Sequence, residues 1–211
     1  WDVSEIKGDN WNASWEQDSF KPIVIGEQCV VHATYHNDYP KCKYDIIIDP
    51  KMSFGSGHHE TTSMMLEALL EADLNGKNVI DMGAGTGILS IMASKLGAQK
   101  VVGVEIDSGA WQNAVDNAAL NNATVTMILG DANSLPTDAD CDYFLANINR
   151  NIIINDIEKY SKTLSKGAKL FISGFYETDL PILCDKLAEY NLQLEKHTVR
   201  NEWTMAVFCL K

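Results

Sequence analysis

The sequence predicts an α/β fold: a doubly wound, mostly parallel sheet ending in an antiparallel hairpin, with a small N-terminal β appendage. Three observations carry this. From Asn78 onward, β-branched runs alternate with helical periodicity, the pattern of a parallel sheet covered on both faces. Val79-Ile80-Asp81-Met82-Gly83-Ala84-Gly85-Thr86-Gly87 reads as a strand and a glycine turn, and residues 88–96 as a helix closed by Gly97. The last two apolar runs, 192–199 and 203–210, are separated only by Arg200-Asn201-Glu202, a gap too short for a crossover helix, so they pair antiparallel.

Residues 1–50 are the least regular part. Trp11, Trp15 and Phe20 lie among polar residues, while Ile23-Val24-Ile25, Cys29-Val30-Val31 and Asp45-Ile46-Ile47-Ile48 read as short strands. Residues 1–50 are therefore expected to be a linker and small β appendage, and 51–211 the main domain. Residues 49–60 form a polar, glycine-containing loop. Thr61-Thr62 then open a helix with Met65, Leu66, Leu69 and Leu70 on its apolar face and Ser63, Glu67 and Glu71 on its wet one.

Beyond the glycine turn, Val101-Val102-Gly103-Val104 is a buried strand ending at Glu105. The helix after Asp107 carries Ala110, Ala114, Ala118 and Leu120 and ends near Asn121-Asn122. Residues 125–129 form a strand closed by Gly130-Asp131-Ala132, and 143–146 a strand closed by Asn147-Ile148-Asn149-Arg150. Residues 152–164 read as a helix, 169–172 as a strand, and 180–190 as a helix with Pro181 tolerated in its first turn.

Composition narrows the function. A chain of 211 residues suits one domain with a substantial core. It opens on Trp1, which reads as a fragment or a trimmed form. No apolar run approaches the roughly 18 residues of a membrane span, and no signal peptide is evident. The five cysteines are odd in number and none sit at Cys-x-x-Cys spacing, which predicts free thiols in a reducing cytoplasm. A net charge of −12 repels nucleic acid and attracts a cationic substrate or a basic protein partner, although acidity alone also serves solubility. His58-His59-Glu60 suggests a metal only weakly, because adjacent side chains point apart and no third ligand follows; no metal is expected.

The glycine turn should hold a nucleoside. Glycines permit close backbone approach, and an acidic residue at the tip of the next strand, about 20 residues on, is placed to accept ribose hydroxyls. The spacing Gly83, Gly85, Gly87 with Ile88 at the sixth position departs from the dinucleotide fingerprint, and Asp81 disfavours a pyrophosphate.

Asp81-x-Gly83-x-Gly85-x-Gly87, with Glu105 after the second strand, resembles motif I of the class I S-adenosylmethionine-dependent methyltransferases, whose sheet is Rossmann-like and ends in an antiparallel hairpin. Within that class the chain looks like the PrmA-type ribosomal protein methyltransferases, which trimethylate amino groups of large-subunit ribosomal protein eleven. The specific match is Asp49-Pro50-Lys51-Met52-Ser53-Phe54-Gly55-Ser56-Gly57-His58-His59-Glu60-Thr61-Thr62. Gly103-Val104-Glu105-Ile106-Asp107, the helix with Asn117 and Asn121, Ala146-Asn147-Ile148, and Asn201-Glu202-Trp203 also match. His58, Glu60 and Glu105 depart from the family's usual residues. The family's N-terminal ferredoxin-like recognition domain finds no counterpart in residues 1–50, so the resemblance places recognition of the ribosomal protein on a separate module.

The resemblance implies an S-adenosyl-L-methionine cofactor bound by Thr62, Asp81, Gly83, Gly85, Glu105, Asp131 and Asn147, with Asn147 also on the catalytic side. Gly83 would approach the cofactor, and Asp81 would orient the loop or take the amino group. Glu105 would accept the ribose hydroxyls as a strand-tip carboxylate outside the core, and Asp131 the adenine amine. Bland readings compete: a turn residue for Asp131, a helix cap or first-turn residue for Thr62, a helix cap for Asn147. The substrate would be a lysine or α-amino group of a basic ribosomal protein, in the cytoplasm, with no direct nucleic acid or membrane contact. No compelling general base is evident, His59 being a candidate. Methylation of RNA or a small molecule, or a catalytically silent cofactor-binding module, are the alternatives.

Overall fold

The computed structural model describes residues 21–49, 59–136 and 140–211. Trp11, Trp15, Phe20, Phe54, His58 and most of the 49–62 motif lie outside the described residues.

Strands β1 (Ile23–Ile25), β2 (Cys29–His32) and β3 (Tyr44–Ile47) form the small sheet, with β1 antiparallel and β3 parallel to β2. Helix α1 (Glu60–Leu70) leads into the main sheet. There β4 (Asn78–Met82), α2 (Ile88–Lys95), β5 (Lys100–Glu105), α3 (Ser108–Leu120) and β6 (Thr126–Leu129) run outward in one direction. The chain then returns through β7 (Cys141–Asn147), α4 (Arg150–Ser161), β8 (Leu164–Tyr176), α5 (Leu180–Ala188), β9 (Leu192–Arg200) and β10 (Trp203–Leu210). The strand order is β6-β5-β4-β7-β8-β10-β9. β10 is antiparallel to both its neighbours, while the pairs from β6 to β8 are parallel. The order reverses between β4 and β7, the place where open α/β sheets bind ligands.

One core lies on each face of this sheet. The first joins Ile25, Val31 and Ile46 of the small sheet to Met65 and Leu69 of α1 and Ile88 and Met92 of α2. The second joins Phe144, Ile153, Tyr160, Leu183 and Phe208. The small sheet therefore packs against α1 and α2 on one face of the main sheet.

The boundaries differ from expectation in instructive places. Helix α4 stops at Ser161, short of the expected Leu164, because Thr163 turns back: its amide and its hydroxyl both donate to the Tyr160 carbonyl, at 3.0 and 2.8 Å. Leu164 instead pairs with Cys141 and starts β8, far ahead of the expected residue 169. Ser63 is buried, because α1 is wedged between two sheets and has little wet face. Leu120 is exposed at the end of α3. Asn201 and Glu202 both take positive φ (49° and 68°), which gives the hairpin the twist of a primed two-residue turn.

All five cysteines are free thiols. Burial pushes Cys29 and Cys141 up to about 12, so these thiols stay protonated and unreactive. Among the described residues, no helix is long and apolar enough to cross a membrane, and no group of His, Cys, Asp and Glu is arranged for a metal ion.

Candidate active site

The glycine turn closes over the tip of β5. The Gly83 and Ala84 amides donate to the Val104 carbonyl (2.8 and 3.1 Å), and the Gly85 amide donates to Oε2 of Glu105 (2.8 Å). The other Glu105 oxygen accepts from the Asp107 amide (3.0 Å), and the side chain is buried. Glu105 is thus part of the architecture, contrary to its expected place outside the core. A carboxylate offers about four acceptor positions. Two amides leave capacity for ribose hydroxyls.

The glycines serve packing as well as ligand approach. Gly83 has φ +73°, and a Cβ there would overlap Cγ2 of Ile148. Gly174, at φ +97°, would place a Cβ 2.5 Å from the Ile148 carbonyl oxygen. Ile148 is therefore clamped between two bare backbones, which fixes Asn147 beside it at the end of β7. Sequence reasoning had missed both this clamp and Gly174.

Asp81 is fully buried under the turn. Its Oδ2 accepts from the Ser90 amide (3.0 Å) and hydroxyl (2.7 Å), tying β4 to the first turn of α2. Burial raises its carboxyl to about 6, with the Ser90 bonds pulling the other way. Asp81 thus fastens the end of β4 to the start of α2 on the two sides of the glycine turn. Asp131 caps a short 3₁₀ turn (Ala132–Ser134), accepting from the Asn133 amide at 2.9 Å and from the Asn133 side chain at 3.0 Å. Its turn role is on view, and its carboxylate stays exposed beyond β6.

Helix α1 supplies the other side. His59 caps it: Nδ1 accepts from the Thr61 amide (3.3 Å). Thr62, in the first turn and buried, accepts at Oγ1 from Nδ2 of Asn147 (3.2 Å). Neither Thr62 nor Asn147 caps a helix; Asn149 caps α4. A groove of about 460 Å³ opens here, lined among others by His59, Thr62, Asn147, Ile148, Gly174 and Trp203. Trp203 meets the His59 ring edge-on (4.9 Å) and packs at a tilt against Tyr176 (4.6 Å).

An asparagine ladder on α3 binds these parts together. Asn121 accepts from the Ile47 amide (2.9 Å), Asn117 accepts from the Asp49 amide (2.9 Å) and donates to the Thr86 carbonyl (3.0 Å), and Asn113 donates to the Asp49 carbonyl (3.0 Å). The segment entering the 49–60 loop is thereby fastened to the glycine turn. Three asparagines at fourfold spacing, in a residue type that disfavours helix interiors, were the available signal. Ile106, also missed, is 73% exposed beside Glu105, an apolar platform suited to a flat base.

These groups fit S-adenosylmethionine. Among the described residues the donor set offers a carboxylate for hydroxyls, an apolar platform, a second acidic group and close backbone approach. A doubly wound sheet with this site at its reversal point is a class I methyltransferase.

The comparisons narrow the class. The model of the family "Ribosomal protein L11 methyltransferase (PrmA)" matches residues 1–211. The ribosomal protein L11 methyltransferase of Phocaeicola vulgatus is 45% identical over 210 residues, covering 99% of this chain and 75% of the relative. That of Porphyromonas gingivalis is 45% identical over 210 residues, covering 97% and 71%. A crystal structure of the ribosomal protein L11 methylase from Lactobacillus delbrueckii subsp. bulgaricus superposes with a TM-score of 0.81 at 26% identity, covering 90% of this chain and 97% of that one. The chain belongs to the ribosomal protein L11 methyltransferase (PrmA) family.

Proposed function

We infer that the protein is an S-adenosylmethionine-dependent N-methyltransferase acting on lysine or α-amino groups of ribosomal protein L11. The observation that carries this is the Asn147–Thr62 pair at the sheet's reversal point, in a chain matched by the family model throughout. The family match disfavours RNA or small-molecule methylation and a silent module.

The cofactor, when bound, supplies a methyl group already activated on a sulfonium, so the protein's task is alignment. Glu105 and the glycine turn would hold the nucleoside. Donation from Nδ2 to Thr62 commits one end of the Asn147 amide, leaving Oδ1 as the acceptor for the substrate N–H. An amine aimed this way presents its lone pair along the transfer line. The amine must first lose a proton, because a lysine's reference pKa is about 10.4. A groove walled by Ile148 and Trp203 disfavours the ammonium form.

The net charge of −12 suits a basic ribosomal protein and opposes direct nucleic acid binding. This reading places the protein in the cytoplasm, where ribosomes are assembled. It treats residues 1–50 as a linker and β appendage to a catalytic unit of 51–211, with further recognition of the ribosomal protein on a separate module. Transfer of labelled methyl from the cofactor to the purified ribosomal protein, with the modified residue identified by mass spectrometry, tests the proposal. Cofactor binding without transfer would refute the substrate.

A further inference from the structure

The geometry points to His59 as a positioning residue that sets the acceptor groove, and not as the general base of the reaction. This rests on the methyltransferase reading of the same groove. His59 lines that groove beside Thr62 and Asn147, where a base would be sought. Its hydrogen bonding argues otherwise. Nδ1 accepts from the Thr61 amide at 3.3 Å and lies 2.8 Å from the Thr61 hydroxyl. A ring nitrogen that accepts from an amide carries no proton, so the neutral ring holds its proton on Nε2. Nε2 is then a donor and has no lone pair to offer an amine. Moving the proton to Nδ1 would strip the cap from α1 and leave its first-turn amide unsatisfied.

The same ring joins both walls of the groove. Its cap fixes the first turn of α1, which carries Thr62. Its edge lies against Trp203 of the hairpin at 4.9 Å, and Trp203 is backed by Tyr176 at 4.6 Å. The neighbouring Glu60 repeats the junction, accepting from the Asn201 side chain at 2.8 Å. Farther along, Glu67 pairs with Arg200 and Glu71 with Lys196. Helix α1 and the hairpin thus meet along one seam, and His59 is the seam's member inside the groove. Its side chain sets the separation between the Asn147–Thr62 pair and the Trp203 ring.

The test compares His59→Asn, which keeps a capping acceptor without the ring, His59→Phe, which keeps the ring without the cap, and His59→Ala, which keeps neither. Methyl transfer to the ribosomal protein is followed across neutral pH. His59→Asn is expected to keep kcat within about threefold and the shape of the pH profile, while KM for the protein substrate rises. His59→Ala should raise that KM further, and by a larger factor than it raises the cofactor Kd. A loss of about a hundredfold in kcat in His59→Asn, with loss of a limb of the pH profile, would make His59 the base and overturn the inference. So would three variants with wild-type KM. Nitrogen-15 NMR of the histidine rings supplies a readout independent of substrate: the Nε2–H tautomer is expected at His59, and the Nδ1–H tautomer would contradict the proposal. Absence of transfer by the wild-type protein would refute the substrate reading alone, and the NMR result would still decide the role of His59.

Discussion

Asn147 donates its side-chain amide to the hydroxyl of Thr62 at 3.2 Å, joining the end of β7 to the first turn of α1 across 85 residues of sequence. The bond orients the amide oxygen and anchors α1 at the groove. A double-mutant cycle with Thr62→Val and Asn147→Ala, read on kcat/KM, should show a coupling of about 0.5–1.5 kcal/mol. Additive losses would mean that the residues act separately.

Glu105 serves structure and ligand at once. Glu105→Ala removes the acceptor from the Gly85 and Asp107 amides. It should weaken S-adenosylmethionine binding by about 1.5–3 kcal/mol and lower folding stability by about 1–3 kcal/mol. Calorimetry and urea unfolding would measure the two effects. Full stability with weak binding would restore the simpler picture of a strand-tip carboxylate serving only the ligand.

Asp81 gives a pH dependence whose sign is set by burial. Its carboxyl is raised from 3.8 to about 6 in the folded protein. Between those values the native state keeps a proton that the unfolded chain has lost. The contribution is therefore fully present below the unfolded pKa and is lost as pH rises through about 6, on the order of 3 kcal/mol in all. Asp81→Asn, which can still accept from Ser90, should flatten this part of the stability–pH curve. An unchanged slope in the variant would place its origin in another group.

The Ile148 clamp separates two glycine substitutions. In Gly83→Ala the new methyl meets the branch methyl of Ile148, which a χ1 rotation would have to displace; in Gly174→Ala it meets the Ile148 backbone itself, which only a shift of the main chain can clear. Both carry the left-handed penalty of about 1–2 kcal/mol. Gly174→Ala should be the more destabilising in thermal melts, and both should lower kcat by displacing Asn147. Equal melting temperatures would show that the Ile148 loop relaxes freely.

Much of this was legible in the sequence. Alternating periodicity gave the sheet, the short Arg200-Asn201-Glu202 gap gave the hairpin, and the glycine spacing with Asp81 and Glu105 gave the ligand class. What stayed hidden depends on distant partners. No local pattern says that Ser63 lies between two sheets, that Gly174 sits under a carbonyl of residue 148, or that Glu105 accepts from a glycine amide 20 residues earlier. The end of α4 was misread because a threonine hydroxyl closed it where helical periodicity continued. The α3 asparagines lay open to view, but their partners are the backbone at Ile47, Asp49 and Thr86, which only the fold brings together.

The most direct test of the central claim is methyl transfer from labelled S-adenosylmethionine to purified ribosomal protein L11, with wild type and Asn147→Ala compared at matched cofactor occupancy. Label is expected on an amino group of the protein, with kcat lowered at least about tenfold in Asn147→Ala while cofactor Kd changes much less. Transfer at the same rate by both enzymes, or label appearing on ribosomal RNA and not on the protein, would contradict it.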